Sequence, residues 1–158
     1  MLKVNSAKRN LWRFNKKTNA EHLLPWLKSA DIFFDQCTQC AECLIVCPTK
    51  IIVKGDGGYP KIDFNLGECD FCAKCADICT QPIFLDTTQP AWLKKAQISH
   101  ACLAYENIYC RSCAESCTAQ ALTFQLGISA LPTINNELCN GCGACVALCP
   151  THAIEIKE

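Results

Sequence analysis

Sixteen cysteines stand in four groups of four, and none is left over. Three groups share one spacing: Cys37-x2-Cys40-x2-Cys43-x3-Cys47, Cys69-x2-Cys72-x2-Cys75-x3-Cys79 and Cys139-x2-Cys142-x2-Cys145-x3-Cys149. The remaining group is stretched at its start, Cys102-x7-Cys110-x2-Cys113-x3-Cys117. The compact run is the bacterial one in which thiolates hold a [4Fe–4S] cube. Three cysteines at x2 spacing let one loop wind around a cube, with backbone N–H groups turned toward the sulfides. The residues between them must then be small or flexible, and Ala41, Ala73, Gly141, Gly143 and Ala144 meet that need. The fourth cysteine is expected to open a helix turned away from the first cube and to ligate the other cube of a pair. Crossing of this kind predicts the sets Cys37, Cys40, Cys43 with Cys79; Cys69, Cys72, Cys75 with Cys47; Cys102, Cys110, Cys113 with Cys149; and Cys139, Cys142, Cys145 with Cys117. A nested arrangement, first group with fourth and second with third, is the other possibility.

Zinc accepts four thiolates equally well by ligand type. Zinc folds, however, bring together two separated C-x2-C knuckles, whereas here four cysteines fall within eleven residues in each of three groups. The sequence therefore predicts four [4Fe–4S] clusters. The third site is the one it specifies least, because of the long gap between Cys102 and Cys110. Pro48 and Pro150 follow the fourth cysteine in the first and last groups, while Thr80 and Thr118 stand there in the middle two. Proline fixes φ and has no N–H, so the middle groups are less constrained at that point.

The elements that must position these thiols repeat with the groups. Ile51 to Lys54 reads as a strand, Gly55 to Gly58 as a turn, and Tyr59 to Phe64 as a returning strand. Ala121 to Leu126, Gly127 to Ala130 and Leu131 to Ile134 repeat the scheme. Ile83 to Leu85 suits a closing strand, Trp92 to Leu103 a strand opening the next unit, and Ala153 to Ile156 an alternating strand that closes it. Tyr105 to Tyr109 is expected to loop over the third cube. The fold class is α+β: tandem bacterial-type ferredoxin-like modules, two clusters each, with short strands and helices around them. Expected boundaries are an N-terminal arm at 1–36, a first module at 37–89 and a second at 90–158, with Gln89-Pro90 at the junction. The arm either covers the cluster core or docks a partner.

Size and charge exclude other classes. At 158 residues the chain suits one compact domain or two very small ones. Lys plus Arg equals Asp plus Glu, 15 against 15, which argues against a nucleic-acid binder. The positive charge is concentrated early, in Lys3, Lys8, Arg9, Arg13, Lys16 and Lys17. No apolar stretch of signal type follows it, and no apolar run is long enough to span a membrane. A reducing, cytoplasmic location is the expectation, since there thiols remain free for metal. His22, His100 and His152 read as surface or packing residues. No catalytic constellation or phosphate loop stands out, so no enzymatic activity is expected.

Flanking strings carry a more specific likeness. Gly57-Gly58-Tyr59-Pro60, Ala101-Cys102-Leu103-Ala104-Tyr105, Cys110-Arg111-Ser112-Cys113 and Leu138-Cys139-Asn140-Gly141-Cys142-Gly143-Ala144-Cys145 resemble the NapF family of ferredoxin-type proteins encoded with periplasmic nitrate reductases. The resemblance implies a cytoplasmic four-cluster protein whose sixteen cysteines are the ligands. It also implies a partner, the catalytic subunit of the periplasmic nitrate reductase, contacted during maturation before export. Relatives can carry an Arg-Arg pair near the start, where this chain has Lys8-Arg9. An electron carrier or electron-transfer subunit without an assembly role is the alternative function, and a passive chaperone with structural cubes is a third.

Overall fold

The computed structural model describes residues 23–125 and 130–158. The basic segment from Met1 to Lys17, His22 and most of the expected second turn (Gly127 to Ala130) lie outside the described residues. Helix α1 (Ala30–Gln36) is the first regular element among the described residues. Its N-cap is Ser29, whose hydroxyl accepts the Ile32 N–H at 3.2 Å, and Asp31 places a negative charge in the first turn. Phe33 faces inward with 0% exposure, and the helix ends at Cys37, whose N–H reaches the Phe33 carbonyl. Tyr59 then ties α1 to the first hairpin. Its ring lies 5.7 Å from Phe33 and 5.0 Å from Phe34, and its hydroxyl donates to the Phe34 carbonyl at 3.0 Å.

Four one-turn helices follow at matching places in the cysteine groups. They are α2 (Glu42–Val46), α3 (Lys74–Asp77), α4 (Ser112–Glu115) and α5 (Ala144–Ala147). Each holds the third cysteine of its group and ends one or two residues before the fourth. The fourth cysteine thus follows a helix instead of opening one, a correction to the sequence reading. Helices this short do not persist alone. They are held by packing, α2 against α3 and α4 against α5.

Among the described residues the strands are three or four residues long and pair in three antiparallel ribbons. Strand β1 (Ile52–Lys54) pairs with β2 (Pro60–Ile62) in the register Ile52 to Ile62, across a 3₁₀ turn at Asp56–Gly58. Strand β4 (Leu122–Phe124) pairs with β5 (Pro132–Ile134), Leu122 opposite Ile134, and the Thr123 and Thr133 hydroxyls meet at 2.9 Å. Strand β3 (Lys95–Ile98), just before the third group, pairs with β6 (Ile154–Lys157), just after the fourth. In β6, Ile154 and Ile156 are buried while Glu155 is exposed, as a half-buried strand requires. The first half uses a reduced version of the same closure. Leu27 and Phe84 form a single antiparallel bridge, supported by Lys28 N–H to Ile83 O and Leu85 N–H to Trp26 O. The closing strand expected at Ile83 to Leu85 is that one bridge.

Residues 23–36 therefore cover the core: Leu24 and Trp26 are 4% and 5% exposed. One buried apolar cluster runs from Leu24 and Phe33 through Ile52, Ile62 and Phe64 to Leu122, Val146 and Ile156, with five buried cysteines among its members. No helix among the described residues is long and apolar enough to cross a membrane.

Candidate iron–sulfur sites

Left-handed backbone recurs at the same positions of three cysteine groups. Gln39, Phe71 and Gly141 precede the second cysteine, and Ala41, Ala73 and Gly143 follow it, all with φ between +53° and +86°. Each of the latter three caps the helix that follows. Alternation of this kind turns successive N–H groups toward one concavity and makes an anion-binding nest. Glycine is required at two of the six positions. A Cβ on Gly143 would lie 2.0 Å from Phe64 Cδ1, and one on Gly141 would lie 2.4 Å from the Lys94 carbonyl oxygen. Elsewhere Gln39, Phe71, Ala41 and Ala73 accept a conformation that costs a side-chain-bearing residue about 1–2 kcal/mol. The third group departs here: Arg111 follows Cys110 with φ −136°.

All sixteen cysteines are unbridged thiols, and the fold gathers them in quartets. Cys37, Cys40 and Cys79 lie close enough to act on the charge of Cys43. Cys47 and Cys72 act on Cys69, and Cys75 adjoins all three. Cys102, Cys110 and Cys149 act on Cys113. Cys117 and Cys139 act on Cys142, with Cys145 beside the last two. Three of these quartets line a pocket, one among Cys37, Cys40, Cys43 and Cys79, one among Cys47, Cys69, Cys72 and Cys75, and one among Cys117, Cys139, Cys142 and Cys145, each partly open to solvent. Thiols therefore meet across groups, first with second and third with fourth. Among the described residues, no three His, Cys, Asp or Glu side chains converge closely enough for a single metal ion.

The electrostatics suit a cationic iron core. Burial pushes the Cys69, Cys75 and Cys145 thiols up to about 12, and Cys43 and Cys113 to about 11, with charge on neighbouring cysteines adding to the rise. Cys47 goes the other way. Its burial raises it, but the Thr49 hydroxyl and the N–H groups of Ile51, Ile52 and Lys50 outweigh burial and bring it below the ordinary thiol value. The local fold explains this stabilisation. Lys50, Gln120 and His152, three residues after the fourth cysteine of the first, third and fourth groups, all have φ near +50°. The turn sends the next N–H back to sulfur, Ala121 to Cys117 at 3.3 Å and Ala153 to Cys149 at 3.2 Å. In the second group Pro82 occupies that position and cannot adopt the conformation.

A [4Fe–4S] group fits this donor set, since a cube with four thiolates is anionic and the nests and sulfur-directed N–H groups favour negative charge. One further observation fits it. Arg111, held with its guanidinium 5.5 Å from both the Tyr109 and Phe124 rings, has a buried Nε with no hydrogen-bond partner from the protein. It stands in the group that lacks the left-handed nest. The expected loop over the third site is a 3₁₀ turn at Leu103–Glu106 followed by left-handed Asn107, with Ile108 and Tyr109 exposed beyond it.

The sequence reading missed the aromatic residues between the halves. Trp92 sits 5.6 Å from Phe71 and 6.2 Å from Phe64, and its indole N–H donates to the Asn140 carbonyl at 3.0 Å. The signal available was the Gly-x-Gly of the fourth group, which calls for something packed against it. His100 stacks near Tyr105, and His152 lies exposed in the turn after Cys149.

Comparison with known proteins agrees with this chemistry. Residues 31–80 match the family described as a 4Fe-4S dicluster domain, and residues 132–155 match the 4Fe-4S binding domain. The chain is 38% identical over 157 residues to the ferredoxin-type protein NapF of Escherichia coli (strain K12), covering 97% of this chain and 95% of that one. It is 48% identical over 136 residues to NapF of Haemophilus influenzae, covering 85% and 77%. The ferredoxin-type protein NapG of Escherichia coli (strain K12) is more distant, 24% identical over 156 residues, covering 84% and 68%. No solved structure matches. With likeness over nearly its whole length and [4Fe–4S]-binding segments at both ends, the chain belongs to the NapF family of ferredoxin-type proteins.

Proposed function

We propose that this protein holds four [4Fe–4S] clusters and serves, in the cytoplasm, the maturation of the catalytic subunit of a periplasmic nitrate reductase before its export. The observation that carries the cluster reading is the gathering of sixteen thiols into four quartets crossed between neighbouring groups. The proposed ligand sets are Cys37, Cys40, Cys43 and Cys79; Cys69, Cys72, Cys75 and Cys47; Cys102, Cys110, Cys113 and Cys149; and Cys139, Cys142, Cys145 and Cys117. Bound there, the clusters supply storage and passage of single electrons. The chain's own residues do the rest. Thiolates would hold the irons, the nest N–H groups would offer hydrogen bonds to the anionic group, and the buried Phe33, Ile52, Ile62, Leu122 and Ile156 would keep water from the inner faces. Proposed modules are 37–89 and 90–158, behind an arm at 1–36.

Membership of the NapF family supports the partner. Direct contact with the immature reductase would deliver electrons, or an intact cluster, to it. The six Lys and Arg before residue 18 suit an acidic surface on that partner. The test is co-purification of the anaerobic holoprotein with the unexported reductase subunit, paired with reductase activity in a strain lacking this protein. Binding together with an inactive reductase is the expected result. Loss of electron flow with a fully matured reductase would instead assign the role of a plain carrier.

A further inference from the structure

We infer that the two halves are joined so that the second and fourth sites abut, making one electron path in the order first, second, fourth, third. This rests on the four-cluster reading proposed above. Within the first half, α2 carries Cys43 and packs on α3 carrying Cys75, so the first and second sites adjoin. Within the second half, α4 with Cys113 packs on α5 with Cys145, so the third and fourth adjoin. The junction between halves lies at the second and fourth. The Cys69 N–H donates to the Cys142 carbonyl at 2.8 Å, which places two ligand loops backbone to backbone. Phe64 fills the space over Gly143, and Trp92 bridges Phe71 of one loop to Asn140 of the other. Trp26 anchors the connecting segment, its indole donating to the Gln89 carbonyl and its N–H to the Ala91 carbonyl.

These residues act as positioning groups. They hold two cysteine loops in register, and any side chain larger than hydrogen at Gly143 would push the loops apart. An electron entering at one outer site from a one-electron donor leaves at the other outer site to a one-electron acceptor. With clusters bound, the second site would be oxidised by one electron as the fourth was reduced by one at the junction, with no bond made or broken. The stretched third group, with exposed Tyr109 and Ile108 beside it, forms one end of the path.

Spin–spin interaction in the dithionite-reduced holoprotein tests this, read by EPR. Iron is counted first. A wild-type chain far below about sixteen irons would defeat the four-cluster reading itself, independently of the order. Two paired variants then isolate two sites each: Cys40→Ala with Cys110→Ala keeps the inner pair, and Cys72→Ala with Cys142→Ala keeps the outer pair. The inner pair should show split, broadened lines, and the outer pair two magnetically isolated signals. Isolated signals in the inner pair, or coupling as strong in the outer pair, overturn the order. If either variant fails to hold its two clusters, Trp92→Ala in the four-cluster chain decides. Partial loss of coupling relative to wild type supports the junction, and an unchanged spectrum contradicts it.

Discussion

A left-handed Phe71 and a left-handed Gln39 are costly choices, and each stands where a glycine stands in the fourth group, at Gly141. The cost is accepted because the turn aims backbone N–H groups at the sulfur-filled space and lets the next cysteine face inward. Crossing between groups makes a residue-scale prediction. Cys37→Ala combined with Cys79→Ala strikes one proposed site and should remove about four irons per chain, whereas Cys69→Ala combined with Cys79→Ala strikes two and should remove about eight. Anaerobic iron analysis checks it, and equal losses would contradict the crossing. Protonation adds a second. Thiols raised by burial, such as Cys75 and Cys145, hold their protons when empty, so loading must release them. With these thiols raised to about 12, proton release costs more with every step of acidification below that value, so cluster uptake should weaken steadily from alkaline to neutral pH. Followed by visible absorbance during reconstitution, uptake that improved on acidification would contradict the assignment. The cysteine pattern was legible because thiolate spacing is a local property. The left-handed residues were not, since only glycine announces such a backbone in a sequence, and Arg111 beside the third site carries no spacing signal at all.

Elements here are too short to stand by themselves. Three-residue strands and one-turn helices have little intrinsic stability, so the buried side chains of α1 and the ribbons carry the load. Phe33 is the most telling of these, fully enclosed and in contact with both Phe34 and Tyr59. Phe33→Ala should destabilise the holoprotein by about 3–5 kcal/mol, seen as a lower urea midpoint, while Ser29→Ala at the N-cap should cost about 1 kcal/mol. If the two variants were equally mild, α1 would not be part of the core. The hairpins on either side of the glycine turn and the closing strand β6 were readable from apolar alternation and turn residues. The pairing of β3 with β6, and its shrunken counterpart at Leu27 and Phe84, was not, because both join segments more than fifty residues apart. The helices were misread at their edges. Cysteine spacing says where thiols lie but not that a left-handed Ala41 or Gly143 begins a helix before the third of them.

At the scale of the molecule, cysteines stand where a larger protein would place leucines. Cys47, Cys75, Cys113, Cys145 and Cys149 are all buried members of the central apolar cluster. A fold whose centre is metal ligands takes its stability from the metal. Stripping iron with a chelator should abolish the far-UV helical signal, and iron with sulfide should restore it; a metal-free chain with unchanged secondary structure would oppose this view. Contact between the halves through Phe64, Trp92 and Gly143 could not be read from the sequence, since nothing local marks two loops seventy residues apart as neighbours. The central claim is that the four quartets hold iron–sulfur cubes and not single ions. Metal and acid-labile sulfide per chain after strictly anaerobic purification test it most directly. The account predicts about sixteen irons and as many sulfides in a brown protein; a colourless protein carrying zinc without sulfide would contradict it.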